Sequence, residues 1–275
     1  AGKLPEGQGF AVEWVDPESN GKLWLALTRK SAGSVELFAA MACDVVGALD
    51  AAAVMRVEDS TLVRIFLRRV GAWQEIMRKG TQALDPEAEI GLVGELGLLH
   101  AIIDAGVPSA LATESWVGPL GGIQDFQLGT GALEVKTTLS STGFPARIGS
   151  LEQLDDSLRQ PLFVAGVRLK QTAGGHNLPE IIEALRLVLK GDAESERLLT
   201  ERLLAVGYID LHADRYPRRF EQVEVRIVEV DKDFPRLTIG SVPTGVMRAM
   251  YEIDLDKVPS VNVGADGILK ILGAI

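Results

Sequence analysis

The stretch that most constrains this chain is a helix with almost no wet side. Asp85-Pro86-Glu87 reads as a helix start, with Asp85 placed to cap and Pro86 suited to the first helical position. Ile90, Leu92, Val93, Leu96, Leu98, Leu99 and Ile103 follow, before a stop near Gly106-Val-Pro108. A helix apolar over most of its circumference belongs inside, against another layer. That layer is read at residues 112–117, 123–128 and 131–138, three short strand-like stretches, and at Leu162–Leu169, a buried strand. Gly118-Pro-Leu-Gly-Gly122, between the first two, is rich enough in glycine to reverse the chain. The expected class is therefore α/β. The exception within the apolar stretch from Ile90 to Ile103 is Glu95, a carboxylate beside Gly94, whose missing side chain lets the helix come close to the sheet.

Around this centre the pattern is regular. Residues 9–30 alternate as a hairpin, with Phe10, Val12, Trp14 on one arm, Leu23, Leu25, Leu27 on the other and a turn at Asn20-Gly21. A helix follows Ser34, with Phe38, Met41, Val45 and Leu49 at helical spacing, and a second is expected from Ser60 to about Lys79. Residues 151–158 suit a short helix, 179–190 and 192–206 two amphipathic helices. Val223–Val230 and Met247–Leu255 read as strands. The expected division is 1–83, an N-terminal region with possible DNA or partner contact, and 84–275.

Composition removes several functions. One cysteine, Cys43, excludes a disulfide framework or a cysteine zinc cluster within the chain, and His100, His176 and His212 are too scattered for a histidine metal site. The 28 basic and 38 acidic residues give a net charge of −10, the wrong sign for coating DNA through a global field. A local exception is the helix at 60–79, where Arg64, Arg68, Arg69, Arg78 and Lys79 crowd together as either a solvated face or a phosphate-facing one. Arg215-Tyr-Pro-Arg-Arg219 reads either as a phosphate contact or, with Asp214, Glu221 and Glu224 nearby, as an ordinary salt-bridged surface. Val35–Val54 is the most apolar stretch, but Glu36, Asp44 and Asp50 interrupt it, so no membrane segment is read and the expectation is a cytoplasmic protein. No phosphate-binding Gly-x-x-x-x-Gly-Lys-[Ser/Thr] loop exists, since Gly21-Lys22 runs into Leu23.

One constellation looks chemical. Asp125 follows the glycine turn, and Glu134-Val135-Lys136 lies in the next strand. Strand residues i and i+2 share a face, so Glu134 and Lys136 project together, and a hairpin would bring Asp125 beside Glu134. Mg²⁺ takes oxygen ligands at about 2.0–2.1 Å, commonly one or two carboxylates plus water and phosphate. Asp125 and Glu134 supply carboxylates and the Val135 carbonyl a third oxygen. Glu95 can reach the metal directly or through water. Lys136 can orient or deprotonate an attacking water, or stabilise charge on the phosphate.

The order helix Glu95, strand Asp125, strand Glu134-x-Lys136 resembles the PD-(D/E)XK nuclease superfamily, with Gln124 where the namesake proline would stand. Gly91-Leu-x-Gly-Glu-Leu96, Trp116-x-Gly-Pro119, Asp125-Phe126, Glu134-Val-Lys-Thr-Thr138 and Glu152-Gln153-Leu154 are similar, more narrowly, to its restriction-associated family once catalogued as a domain of unknown function. The resemblance implies a restriction-endonuclease-like core of helix, three-stranded meander, helix and strand, with an N-terminal hairpin-plus-helices region and a C-terminal α/β extension. It implies a Mg²⁺-dependent (Mn²⁺ as substitute) DNA endonuclease subunit of a bacterial restriction system. Its site would comprise Glu95, Asp125, Glu134 and Lys136, with Gln153 as the glutamine near the active site. Implied partners are DNA, and either a second copy or a methyltransferase or ATPase subunit. The rival is a non-catalytic DNA-binding or assembly subunit on the same fold; a small-molecule metallohydrolase would want histidines that are missing.

Overall fold

The computed structural model describes residues 4–79, 82–258 and 265–274. The chain divides into two compact units, Ala1–Ala83 with Leu203–His212, and Leu84–Arg202 with Ala213–Ile275. In the first, β1 (Phe10–Val15) pairs antiparallel with β2 (Trp24–Arg29), Phe10 opposite Arg29. Helix α1 (Val35–Val54) starts where expected, the Ser34 hydroxyl accepting the Leu37 N–H, and α2 spans Asp59–Lys79. Phe10, Val12, Met41, Val45, Phe66, Val70 and Trp73 share one core with Leu204 and Ile209. By length and composition α1 is long and apolar enough to cross a membrane, a test that the core helix of a soluble protein also passes. The interrupting Asp44 is engaged by α2, receiving the Trp73 indole N–H at 2.8 Å and lying 2.9 Å from Arg69 Nε.

The second unit is built on a mixed four-stranded sheet. Its strands are β3 (Phe126–Leu128), β4 (Gly131–Thr138), β6 (Leu162–Asn177) and β7 (Arg219–Glu229), side by side in that order. The β3–β4 and β6–β7 pairs are antiparallel, while β4 and β6 are parallel, with Glu134 opposite Val164 and Lys136 opposite Gly166. A further strand, β5 (Pro145–Ile148), leaves this sheet to pair with β8 (Tyr251–Asp254). Helix α3 (Pro86–Asp104) is capped by the Asp85 carboxylate, which accepts the Glu87 and Ala88 N–H groups. Helices α5 (Leu178–Leu189) and α6 (Ala193–Val206) follow β6. Ala132, Val164, Phe144, Ala146, Leu154, Val228 and Leu255 form the core on one side of the sheet.

Two expectations need correction. Residues 112–117 are not a strand: α4 (Ser109–Ser115) is a helix, its Ala-Leu-Ala run following Pro108, and only Trp116 bridges to Phe126. The first member of the meander is thereby reduced to a single bridge. Residues 151–158 are turns, because local side-chain bonds compete with a helix there: Asp155 accepts the Ser157 N–H and Gln153 the Gly149 N–H, while Leu151 and Leu154 anchor the turns in the core. Gly174-Gly175 lies within β6 at an irregularity, where the register to β7 shifts between Gln171 and His176.

What brings α3 against the sheet is Gly94. A Cβ at this position would collide with the Thr137 hydroxyl of β4 and stand 3.1 Å from Thr137 Cβ. Gly94→Ala therefore overpacks the interface, an effect of about 1–3 kcal/mol, or a fall in Tm of roughly 2–10 °C for a chain of this size. Thr137→Ala removes the colliding atoms, so the double variant should melt well above the sum of the two single effects. Additive losses in a calorimetric melting series would show that this contact does not set the spacing.

Candidate active site

Each polar group at the centre is delivered by a distinct local device. Beyond Trp116, a tight turn at Gly118–Leu120 folds back so that the Val117 and Gly118 N–H groups donate to the Asp125 carbonyl at 2.8 and 2.9 Å. Gly118 also lets the acid close in, since a Cβ there would stand 2.7 Å from Asp125 Oδ1. The β3–β4 hairpin pairs Phe126 with Leu133 and Leu128 with Gly131, and its register sets Asp125 opposite Glu134. Val135 N–H donates to Asp125 Oδ2 at 2.7 Å. N–H and C=O of one strand residue point to the same edge, so the Val135 carbonyl also faces the Asp125 side.

The remaining groups converge on these. Lys136 Nζ donates to Glu134 Oε1 at 2.6 Å and to Gln153 Oε1 at 3.3 Å. Gln153 arrives on the turns after β5, its Oε1 also accepting the Gly149 N–H at 2.7 Å. Gln124 donates to the Gln153 carbonyl at 3.4 Å, so the residue in the proline's place ties the turn to the strand. From α3, Glu95 Oε2 accepts the Trp116 indole N–H at 2.6 Å. Glu95, Asp125, Glu134, Lys136 and Gln153 thus meet at one place. Trp116, quoted in the sequence only as part of a motif, joins them. Its signal was an aromatic with a polar handle next to the turn that carries an acid.

The electrostatics are those of enclosed charge of one sign. Glu134 is 2% exposed and the Lys136 side chain 13% exposed, while Glu95 and Asp125 keep some accessible surface but are walled by protein on most sides. Burial pushes the Glu95 carboxyl up from its ordinary 4.5 to about 8, aided by the Asp125 charge and opposed by the Trp116 bond and Lys136. Burial raises Asp125 as well, against the Val135 N–H and Lys136. Glu134 is held well above its usual range, first by burial and then by Asp125, with Lys136 pulling the other way. One ammonium faces three carboxyls that repel one another.

Such a set fits a divalent cation held by oxygen. Glu134 Oε2 is buried without a hydrogen-bond partner, an acceptor with nothing to accept from. Asp125, Glu134, Glu95 and the Val135 carbonyl offer the hard oxygen donors that Mg²⁺ or Mn²⁺ takes. Among the described residues no three His, Cys, Asp or Glu side chains stand in ligand geometry; one oxygen of each of these acids accepts from a protein donor.

Other candidates lie apart. The His100 side chain is 43% exposed and 3.8 Å from Asp104; His176 is exposed near Glu180. A cavity of about 520 Å³ opens between α3, α5 and the β6–β7 end, lined by Val93, Leu96, His100, Leu185 and Phe220 but by none of the clustered acids. Arg218 is bound to Glu89 and Arg219 to Glu180, favouring the salt-bridged reading of that cluster. On α2, Arg69 meets Asp44 and Arg78 meets Glu75, while the Lys79 side chain lies outside the described residues.

A family model described as "Putative PD-(D/E)XK family member, (DUF4420)" matches residues 11–256. The chain belongs to this family, and it is a nuclease-fold protein: its mixed sheet with flanking helices is compatible with the restriction-endonuclease-like architecture. No curated protein and no solved structure matches it.

The raised acids make a pH prediction. A carboxyl whose pKa is higher folded than unfolded retains protons that the unfolded chain has released, so its contribution is full below the unfolded value and lost as pH climbs through the folded one. Metal-free protein should therefore melt at progressively lower temperature between pH 4.5 and about 8, and Glu95→Gln should flatten part of that slope. A wild-type melting temperature that rises over this window would contradict the enclosed-acid geometry.

Proposed function

We propose that this protein is a Mg²⁺-dependent DNA endonuclease, acting as a subunit of a bacterial restriction system. The single observation that carries the reading is the convergence of three enclosed carboxyls on one lysine, with Glu134 Oε2 left unpartnered. Asp125 and Glu134 would hold the cation with the Val135 carbonyl, and Glu95 would assist. When bound, Mg²⁺ acidifies a water molecule and offsets charge on the scissile phosphate.

The protein's own groups do the rest. Lys136 Nζ is clamped between Glu134 and Gln153, so its N–H groups are aimed before substrate arrives. In a site largely closed to solvent this fixed positive charge weighs heavily on a developing anion, and the same amine orients the attacking water. Gln153 acts by holding Nζ in line.

The restriction-system role is supported by the motif set, above all Trp116-x-Gly-Pro119 and Glu134-Val-Lys-Thr-Thr138. With a net charge of −10 and Arg168, Arg218, Arg219, Arg226 and Arg236 each paired to an acid, DNA capture is local or shared with a partner subunit. Two strands need two cuts, which a second copy or a multi-subunit complex supplies.

Incubation of the purified chain with plasmid and Mg²⁺ or Mn²⁺ tests the reading. Lys136→Ala should lower cleavage by about 10²–10⁴-fold, the usual range for a positioned proton-transfer group, with the circular dichroism spectrum unchanged; retained cleavage would remove the lysine from the chemistry. Asp125→Asn should weaken Mg²⁺ binding in a calorimetric titration, and an unaltered isotherm would remove the aspartate from the metal site. A wild type that binds metal and DNA yet leaves plasmid intact would favour the non-catalytic subunit.

A further inference from the structure

Two of the clustered acids come from parts of the chain with no shared secondary structure. Glu95 rides on α3, and Asp125 stands just before β3. Trp116 touches the surroundings of both. Its indole N–H donates to Glu95 Oε2 at 2.6 Å. Its ring is fully buried and stacks on Phe126, the residue after Asp125, with centroids 6.5 Å apart and planes 19° apart. Its backbone bridges to the same Phe126, and the next two N–H groups hold the Asp125 carbonyl. From behind, the buried Arg202 donates Nε–H to the Trp116 carbonyl at 2.7 Å and a second N–H to the Glu114 carbonyl at 3.3 Å.

The geometry points to Trp116 as a positioning residue that sets the distance and facing of Glu95 relative to Asp125, and so the affinity of the pair for a divalent cation. This rests on the metal-dependent reading above. Packing alone does not explain the choice of residue. A phenylalanine would fill the core and stack on Phe126, whereas an indole N–H is needed only to bind the carboxylate. With Oε2 fixed by that bond, the rotation of the Glu95 carboxylate is set, and its other oxygen is the one it can offer to a metal. Outer partners of this kind, which orient a metal ligand without touching the ion, are commonly worth about 10–100-fold in metal affinity or activity.

The test uses the full chain. In the metal-free protein the Trp116 indole resonance is identified by its loss in Trp116→Phe, and Glu95→Gln, which weakens the acceptor, should move it upfield. An unmoved resonance overturns the proposal, and this arm keeps Trp116 in place, so it holds even if the phenylalanine variant folds poorly. In a calorimetric Mn²⁺ titration Trp116→Phe should raise Kd by about 10–100-fold with its melting curve still cooperative, and cleavage should recover toward wild type at saturating Mn²⁺. A wild-type chain that binds Mn²⁺ and a variant that binds it equally well overturn the positioning role alone. A wild-type chain that takes up no Mn²⁺ overturns the nuclease reading and this role together, while the indole shift still reports whether the bond exists.

Discussion

Three carboxyl groups enclosed around one ammonium is the condition on which the second unit is organised. An ionised carboxylate moved out of water loses several kcal/mol of solvation unless something replaces it. Here the replacements are few: one amine, one backbone N–H and one indole. The deficit appears as raised proton affinity at Glu95, Asp125 and Glu134, and as an acceptor oxygen with no donor. A fold keeps such an arrangement only when the scaffold forces it, and the surrounding contacts are those that do. Gly94 lets α3 down onto β4, Gly118 lets the turn close over Asp125, and the two-residue hairpin end at Gly129-Thr130 fixes the register that sets Asp125 against Glu134.

This arrangement also explains why the site is enclosed from several directions at once. Glu134 and Lys136 sit on a strand flanked on both edges, by the short β3 and by the long β6. Alternation along β4 turns Ala132 into the core shared with Phe144 and Val164, and Thr137 toward Gly94 of α3. The chemical groups therefore occupy the middle of a packed layer, where their rotamers are limited by neighbours that are themselves buried.

Much of this was legible beforehand, and the reasons are local. Asp85-Pro86 marked the start of α3 because capping chemistry is written in adjacent residues, and 131–138 matches β4 end for end because its glycine and alternation bound it. The opposition of Asp125 and Glu134 followed from a hairpin short enough to count. The failures share a different character. The run at 112–117 holds Trp and Val that suggest a strand, but the Ala-Leu-Ala segment before them makes a helix and leaves only Trp116 extended. The β5–β8 pair joins residues more than a hundred positions apart: β8 lies within the strand read at Met247–Leu255, but the four residues of β5 carry no pattern of their own. Gln153 reached Lys136 although its expected helix is a set of turns, since the position of one side chain can survive a wrong account of its backbone.

The parallel pairing of β4 with β6 has a temporal side. The chain must travel from Thr138 through residues 139–161 before Leu162 can lie beside Ala132, and that excursion carries Gln153. A nascent polypeptide still short of β6 already contains Glu95, Asp125, Glu134 and Lys136, yet the edge of β4 that β6 will pair is still open. Synthesis thus delivers the three acids and the lysine early and their enclosure late.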